Sequence, residues 1–283
     1  CYRYTNPRRL FLKCKYSNIM KLHRIKALCL RHLYPLKRDF DLLSDMIYWP
    51  LIDTLLWGVT GQWLSSAGQN ADEARILIVS ILMGLIFWNV IWRSQAEVSR
   101  NLMDEIWNNN LINLFSTPLR VDEWVTSVLL LSVIKTSITL LLLVPAVFFL
   151  YTVNVFQLGW WIPVFFLSTT MTGWWLGFIS AGIVLRYGPK AQTVIWTLPG
   201  ILLPFSAIYF PLSQLPAVIQ PISRIIPTTY IFESMRTLIQ GGMVRPDYLA
   251  ISFGLNIVFL GFAFWFFMRS FAYSTKLGLG RFN

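Results

Sequence analysis

The sequence is poor in cysteine, in charge and in the residue sets that carry catalysis. Its three cysteines, Cys1, Cys14 and Cys29, all precede the first long apolar run, and no CxxC spacing joins them. That pattern offers no disulfide framework and no thiol metal site. Both histidines, His23 and His32, lie in the same early region. With neither His nor Cys in the apolar runs, no metal set or thiol nucleophile can be assembled there. HExxH, GxSxG and the glycine-rich phosphate loop are missing too,. A membrane-embedded transferase is therefore disfavoured. Only 13% of the 283 residues are charged, against about 25% in soluble domains. There is no room for a separate catalytic or nucleotide-binding domain, and no internal repeat of the kind that marks many ion-coupled carriers.

What the chain has in quantity is apolar sequence. Hydrophobic residues make up 55% of it and aromatics 16%. They gather into six runs, at about 47–64, 74–92, 125–151, 160–185, 191–211 and 248–268. A spanning helix needs about 20 mostly apolar residues. The expectation is an all-α polytopic membrane protein with six transmembrane helices. Eleven of the 24 Lys and Arg lie in residues 1–46. If the amino terminus is cytoplasmic, 19 fall on the inside and four outside, with Lys135 in a span. That asymmetry places both termini in the cytoplasm of an inner-membrane, multi-pass protein. The net charge of +11 then meets anionic lipid rather than nucleic acid,. Trp49, Trp63, Trp92, Trp124, Trp160 and Trp161 sit near span ends, as an interfacial aromatic belt does.

Three further segments have helical patterning. Residues 20–46 place Leu22, Ile25, Cys29, Leu33, Leu36 and Phe40 on one face, with basic residues elsewhere, which predicts an amphipathic interfacial helix. Met20 resembles a natural start, so 1–19 read as a possible extension or disordered segment. Residues 101–115 place Met103, Trp107, Leu111 and Leu114 on one face, flanked by Leu102 and Ile106, with Asp104 and Glu105 on the remainder. This predicts a short cytoplasmic helix, which either docks on a partner or rests on the bilayer or on its own bundle. Residues 212–247 are too apolar for a solvated loop, and Pro211, Pro216, Pro221 and Pro227 break them into short pieces. Thr228-Thr229 is expected to cap a helix from Tyr230 to Gln240. The reading is an external re-entrant helix pair before the last span.

Charge inside a bilayer costs about 2.5–3.5 kcal/mol per residue on insertion scales. Asp53 and Lys135 lie within spans, and Glu233 and Arg236 can pair three residues apart in the re-entrant segment. Each is open to two readings, a pathway or gate residue on one side and, on the other, structural pairing or, for Asp53 and Lys135, snorkelling to the interface. Thr169, Gly173, Gly177 and Ala181 recur every four residues in the fourth span, which suits close helix packing. Pro199, Gly200 and Pro204 should bend or break the fifth.

This layout resembles the type-2 ABC exporter permeases. The strings that carry the resemblance are Pro50-Leu51-Ile52-Asp53, Glu105-Ile106-Trp107, Ser116-Thr117-Pro118-Leu119-Arg120, Ile226-Pro227-Thr228-Thr229-Tyr230 and Glu233-Ser234-Met235-Arg236. Their order across 47–283 is more specific than any one of them. The resemblance implies that 101–115 is a coupling helix, with Met103, Asp104, Glu105, Ile106, Trp107 and Leu111 facing a separate ABC ATPase. It implies two ATPases and two permeases, as a homodimer or heterodimer. ATP and Mg would be bound by the ATPase, with no cofactor in this chain. Asp53, Glu233 and Arg236 become gate or pathway candidates. The expected function is ATP-driven export of a glycan, lipid or drug-like amphiphile, with an ion-coupled secondary carrier as the alternative.

Overall fold

The computed structural model describes residues 20–67 and 71–278. The expected extension at 1–19 lies outside the described residues. Among the described residues there are helices and turns and no strand. The helices are α1 (Leu22–Leu33), α2 (Phe40–Ala67), α3 (Ala71–Trp107), α4 (Leu111–Ser116), α5 (Val121–Tyr151), α6 (Trp161–Tyr187), α7 (Val194–Leu202), α8 (Gln220–Ile225), α9 (Pro227–Ile239) and α10 (Pro246–Leu277). Four of them, α3, α5, α6 and α10, are long and apolar enough to cross a membrane. They contain the second, third, fourth and sixth expected runs.

The differences from expectation have local causes. The expected interfacial helix at 20–46 is divided. Pro35 ends α1 in a 3-10 turn at Tyr34–Lys37, and Phe40 already belongs to α2,. Within α1, Ile25 and Leu28 are buried while Leu22 is exposed, so the helix packs on α5 along a narrower stripe than the sequence suggested. The first run lies within the 28-residue α2, but Asp53, Pro50 and its polar residues keep it out of the apolar set. The fifth run, 191–211, is broken where Pro199, Gly200 and Pro204 were expected to bend or break it. α7 has nine residues with Pro199 inside it. A 3-10 turn follows at Leu203–Phe205, and Ala207 is left-handed at φ 55°.

The largest difference concerns residues 93–107. The sequence pattern ends the second run at about 92 and sets a separate helix over 101–115. Instead α3 continues without a break to Trp107. A turn at Asn108–Asn110 follows, with Asn109 at φ 52°, a left-handed conformation that Asn tolerates,. Only then does the short α4 begin. Most polar residues of this stretch are buried inside the bundle. Ser94, Gln95, Glu97, Ser99 and Asn101 are each at most 4% exposed.

Close approach of α3 and α6 makes the centre of the fold. A Cβ on Gly173 would stand 2.6 Å from the Ile91 carbonyl oxygen, and one on Gly177 2.6 Å from Val98 Cβ. The four-residue stripe of the fourth run is therefore an intramolecular seam. Contacts along the helices also give their directions. Phe87 meets Phe165 and Val98 meets Gly177, so α3 and α6 are parallel. Ser168 bonds Ser252 at 2.9 Å and Arg186 bonds Ser270 at 3.1 Å, so α6 and α10 are parallel as well. α5 opposes them, with Trp174 on Ser132 and Phe267 stacked on Trp124. α2 runs against α3, since Asp45 meets Arg100 and Gly61 meets Ile78. The end of α6 and the start of α10 therefore lie at opposite ends of the bundle. The chain from 188 to 245 must travel its length. It does so beside α3, from Ile195, whose carbonyl accepts from Gln95, to Ile208, packed on Gly84.

Candidate functional site

The first candidate region is the bundle end that carries α1, α4 and the last turn of α3. The predicted facing residues separate into two groups here. Met103, Ile106 and Leu111 are buried in the chain's own core. Glu105 is buried as well. Its carboxylate accepts from Arg31 at 2.8 Å and from Asn110 Nδ2 at 2.6 Å. Asp104 and Trp107 face outward, Trp107 with 55% of its surface exposed. Ile112, Asn113 and Pro118 extend the same exposed surface. On each side of the turn at Asn108–Asn110 the chain thus has one buried face and one exposed face.

Salt links hold that end together. Glu123, fully buried, accepts from the backbone N–H of Lys21 at 2.9 Å and of Arg120 at 3.1 Å, and from Arg24 at 3.2 Å. α1 is thereby pinned at both ends, by Glu123 and by Glu105. Cys29 Sγ lies 3.7 Å from the Ser127 carbonyl oxygen, and burial raises its thiol pKa. His32 is held well below its ordinary 6.5, at about 4. Burial is the main cause, Lys135 and Arg31 add to it, and Glu105 opposes it.

Deeper in the bundle, Lys135 is not alone. Its Nζ meets Glu97 Oε2 at 2.8 Å, both side chains being about 5% exposed or less. Asn101 donates to the same carboxylate at 3.1 Å. On the other side of α3, Asp45 takes Arg93 at 3.0 Å and Arg100 at 2.7 Å. Sequence reasoning missed Glu97, Asp45, Arg93 and Arg100 as a set. The signal was present in Arg93, Glu97, Arg100 and Asp104, spaced four, three and four apart, which is a helix face and not a loop.

Glu233 and Arg236 do pair, at 3.0 Å. They also serve the broken segment. Arg236 donates to the carbonyls of Ala207 and, at 2.8 Å, Ile208, while Glu233 accepts the Leu212 N–H at 2.7 Å. Unwound backbone in an apolar setting needs such partners. α9, which holds the pair, starts at Pro227, three residues before the predicted Tyr230.

A cavity of about 490 Å³ opens between α2, α3 and the α7 segment. Asp45, Asp53, Arg93 and Arg100 line it together with Trp49, Trp88, Trp92, Trp196 and Tyr209. Arg100 lies over the Trp196 ring at 4.5 Å. Asp53, the remaining sequence candidate, stands exposed on the α2 wall. The four candidates of the sequence reading therefore fall in three places: Asp53 at the cavity, Lys135 in the buried pair, and Glu233 with Arg236 at the brace.

Among curated proteins no match to the chain is found. A family model described as ABC-2 type transporter, for the membrane component, matches residues 34–239. That covers well over half of the chain.

Proposed function

The chain belongs to the ABC-2 type transporter membrane family and is thus a transport permease component without catalysis of its own, and on that premise we propose that it moves an amphiphilic substrate outward, driven by ATP hydrolysis on a separate ATPase subunit. Two ATPases and two permeases make the working unit. ATP and Mg belong to the ATPase. The observation that carries this reading is Trp107, a large ring left exposed where α3 ends. Buried aromatic anchors dominate protein interfaces, and an exposed one beside Asp104 and Ile112 suits the handle that an ATPase grips.

In this reading the chain crosses the membrane six times. α2, α3, α5, α6 and α10 make five passes, and the broken segment through α7 makes the remaining one. The bundle end with α1 and α4 is cytoplasmic, and residues 212–245 lie at the outer face as a re-entrant pair. Membership of 101–115 in the coupling unit narrows to Asp104, Trp107, Ile112 and Asn113. Met103, Glu105, Ile106 and Leu111 support it from beneath. α3 has no break between the cavity and Trp107, so a push at that ring reaches Arg93 and Trp92 directly.

The test is affinity purification of the full chain from its native membrane. An ATPase should be recovered with it. Trp107→Ala should cut that recovery by about tenfold or more, a hot-spot loss, without loss of insertion. Normal recovery from a Trp107→Ala, Ile112→Ala double variant would overturn the coupling assignment. The ion-coupled carrier is favoured by a single observation, an Asp53 with no hydrogen bond or ion pair among the described residues, and would be supported by active chain free of any ATPase.

A further inference from the structure

We propose that the cavity between α2, α3 and the α7 segment takes an amphiphilic organic cation, whose charged group sits by Asp53 among the aromatic rings; this deepens the exporter reading and rests on it. The argument begins with the charges that line the cavity. Asp45 is shared by Arg93 and Arg100. Arg93 also donates to the Asp45 carbonyl and is 3% exposed. Arg100 is covered on one side by Trp196. The two guanidinium groups are thus engaged. Asp53 is the one lining ionisable group of the four with no hydrogen bond or ion pair among the described residues. A free carboxylate on a helix in an apolar run costs several kcal/mol, and a cationic occupant offsets that cost.

The neutral walls point the same way. Trp49, Trp88, Trp92 and Tyr209 line the cavity, and the faces of such rings attract cations. Trp57 stacks on Tyr209 at 4.4 Å and fixes it. A glycan would need many hydrogen-bond partners. The one uncharged amide in the wall is Asn89, and it already gives one of its N–H groups to the Leu85 carbonyl. A bare metal ion is also a poor fit, since among the described residues no three acidic, His or Cys groups gather.

The size of the space and the apolar cavity beside it bear on the rest of the ligand. About 490 Å³ suits a drug-sized molecule. Leu203 and Tyr209 are shared with a second space of about 630 Å³, whose walls include Ile208, Phe210, Leu215 and Ile219. An apolar body can lie there while the charged group stays at Asp53.

The probe pair is tetraphenylphosphonium and tetraphenylborate, ions of one shape and opposite charge. Binding to the full chain in nanodiscs is measured after subtraction of empty nanodiscs. The expected result is saturable binding of the cation, at least about tenfold tighter than the anion, reduced about tenfold by Asp53→Asn and by Trp49→Leu, each checked for monodispersity. Equal binding of both ions, tighter anion binding, or cation binding unchanged in the variants would overturn the proposal. Wild-type charge selectivity decides the matter if a variant does not fold. ATPase recovery is scored on the same preparations. An ATPase recovered without cation selectivity sinks only this inference, whereas a missing ATPase sinks the exporter reading.

Discussion

At the scale of single residues, the buried charges determine how the bundle tolerates change. The Lys135–Glu97 pair has almost no water around it. Removing one partner of such a pair costs about 3–5 kcal/mol, while replacing both with apolar residues is often neutral. Lys135→Met should therefore lower the thermal midpoint in detergent strongly, and Lys135→Met with Glu97→Leu should recover most of the loss. A double-variant loss equal to the sum of the Lys135→Met and Glu97→Leu losses would show that the pair is not coupled. His32 gives a pH dependence of known sign. Its folded-state pKa is depressed to about 4, while an undocked α1 keeps about 6.5. The unfolded helix then binds more protons in that window, so docking is fully supported above about pH 6.5 and weakens as pH falls toward 4. Amide exchange in α1, corrected for intrinsic rates, should lose protection from pH 6.5 to 5 in the wild type. His32→Asn should be flat over the same range.

At the scale of elements, the seam between α3 and α6 offers a clean contrast. Gly173→Ala puts a methyl 2.6 Å from backbone and side-chain atoms of α3, an overpacking of about 1–3 kcal/mol. Gly254 on α10 has open space at its Cβ, so Gly254→Ala should be neutral or gain a few tenths of a kcal/mol from helix propensity. Thermal unfolding of both in one detergent tests this. The small-residue stripe was legible from its spacing alone. Its partner was not, because hydropathy reads Arg93, Ser94, Gln95 and Glu97 as a loop. Each is buried against groups far away in sequence: Asp45 for Arg93, Thr136 for Ser94, Ile195 and Ser180 for Gln95, Lys135 for Glu97. Asn256 is another case. It appears in the sequence as a lone amide in a long apolar run, yet it bonds Ser168, Thr172 and Trp175. The prolines announced a break in the fifth run. That Arg236 would satisfy the freed carbonyls could not be read locally, since 28 residues separate it from Ile208.

At the scale of the whole molecule, the parallel arrangement of α6 and α10 decides how the chain must be threaded. Both run from the end near Ser168 and Ser252 to the end near Arg186 and Ser270. A membrane that holds α6 and α10 across its thickness must therefore also be crossed by the chain between them. α7 spans only about 13 Å as nine helical residues, so the crossing is shared with the turn at Leu203–Phe205 and the backbone up to Ile208. This predicts that Met243 and Asn113 lie on opposite sides of the membrane. Both are exposed, Met243 at 89%. In a background with Cys1, Cys14 and Cys29 changed to Ser, Met243→Cys should react with an impermeant maleimide on intact cells. Asn113→Cys should react only after permeabilisation. The proposed orientation follows the basic residues, since residues 1–46 carry eleven of the 24 Lys and Arg,. Labelling of both positions from one side would mean that the broken segment turns back. It would then be a hairpin, and Trp107 could not share a compartment with both termini.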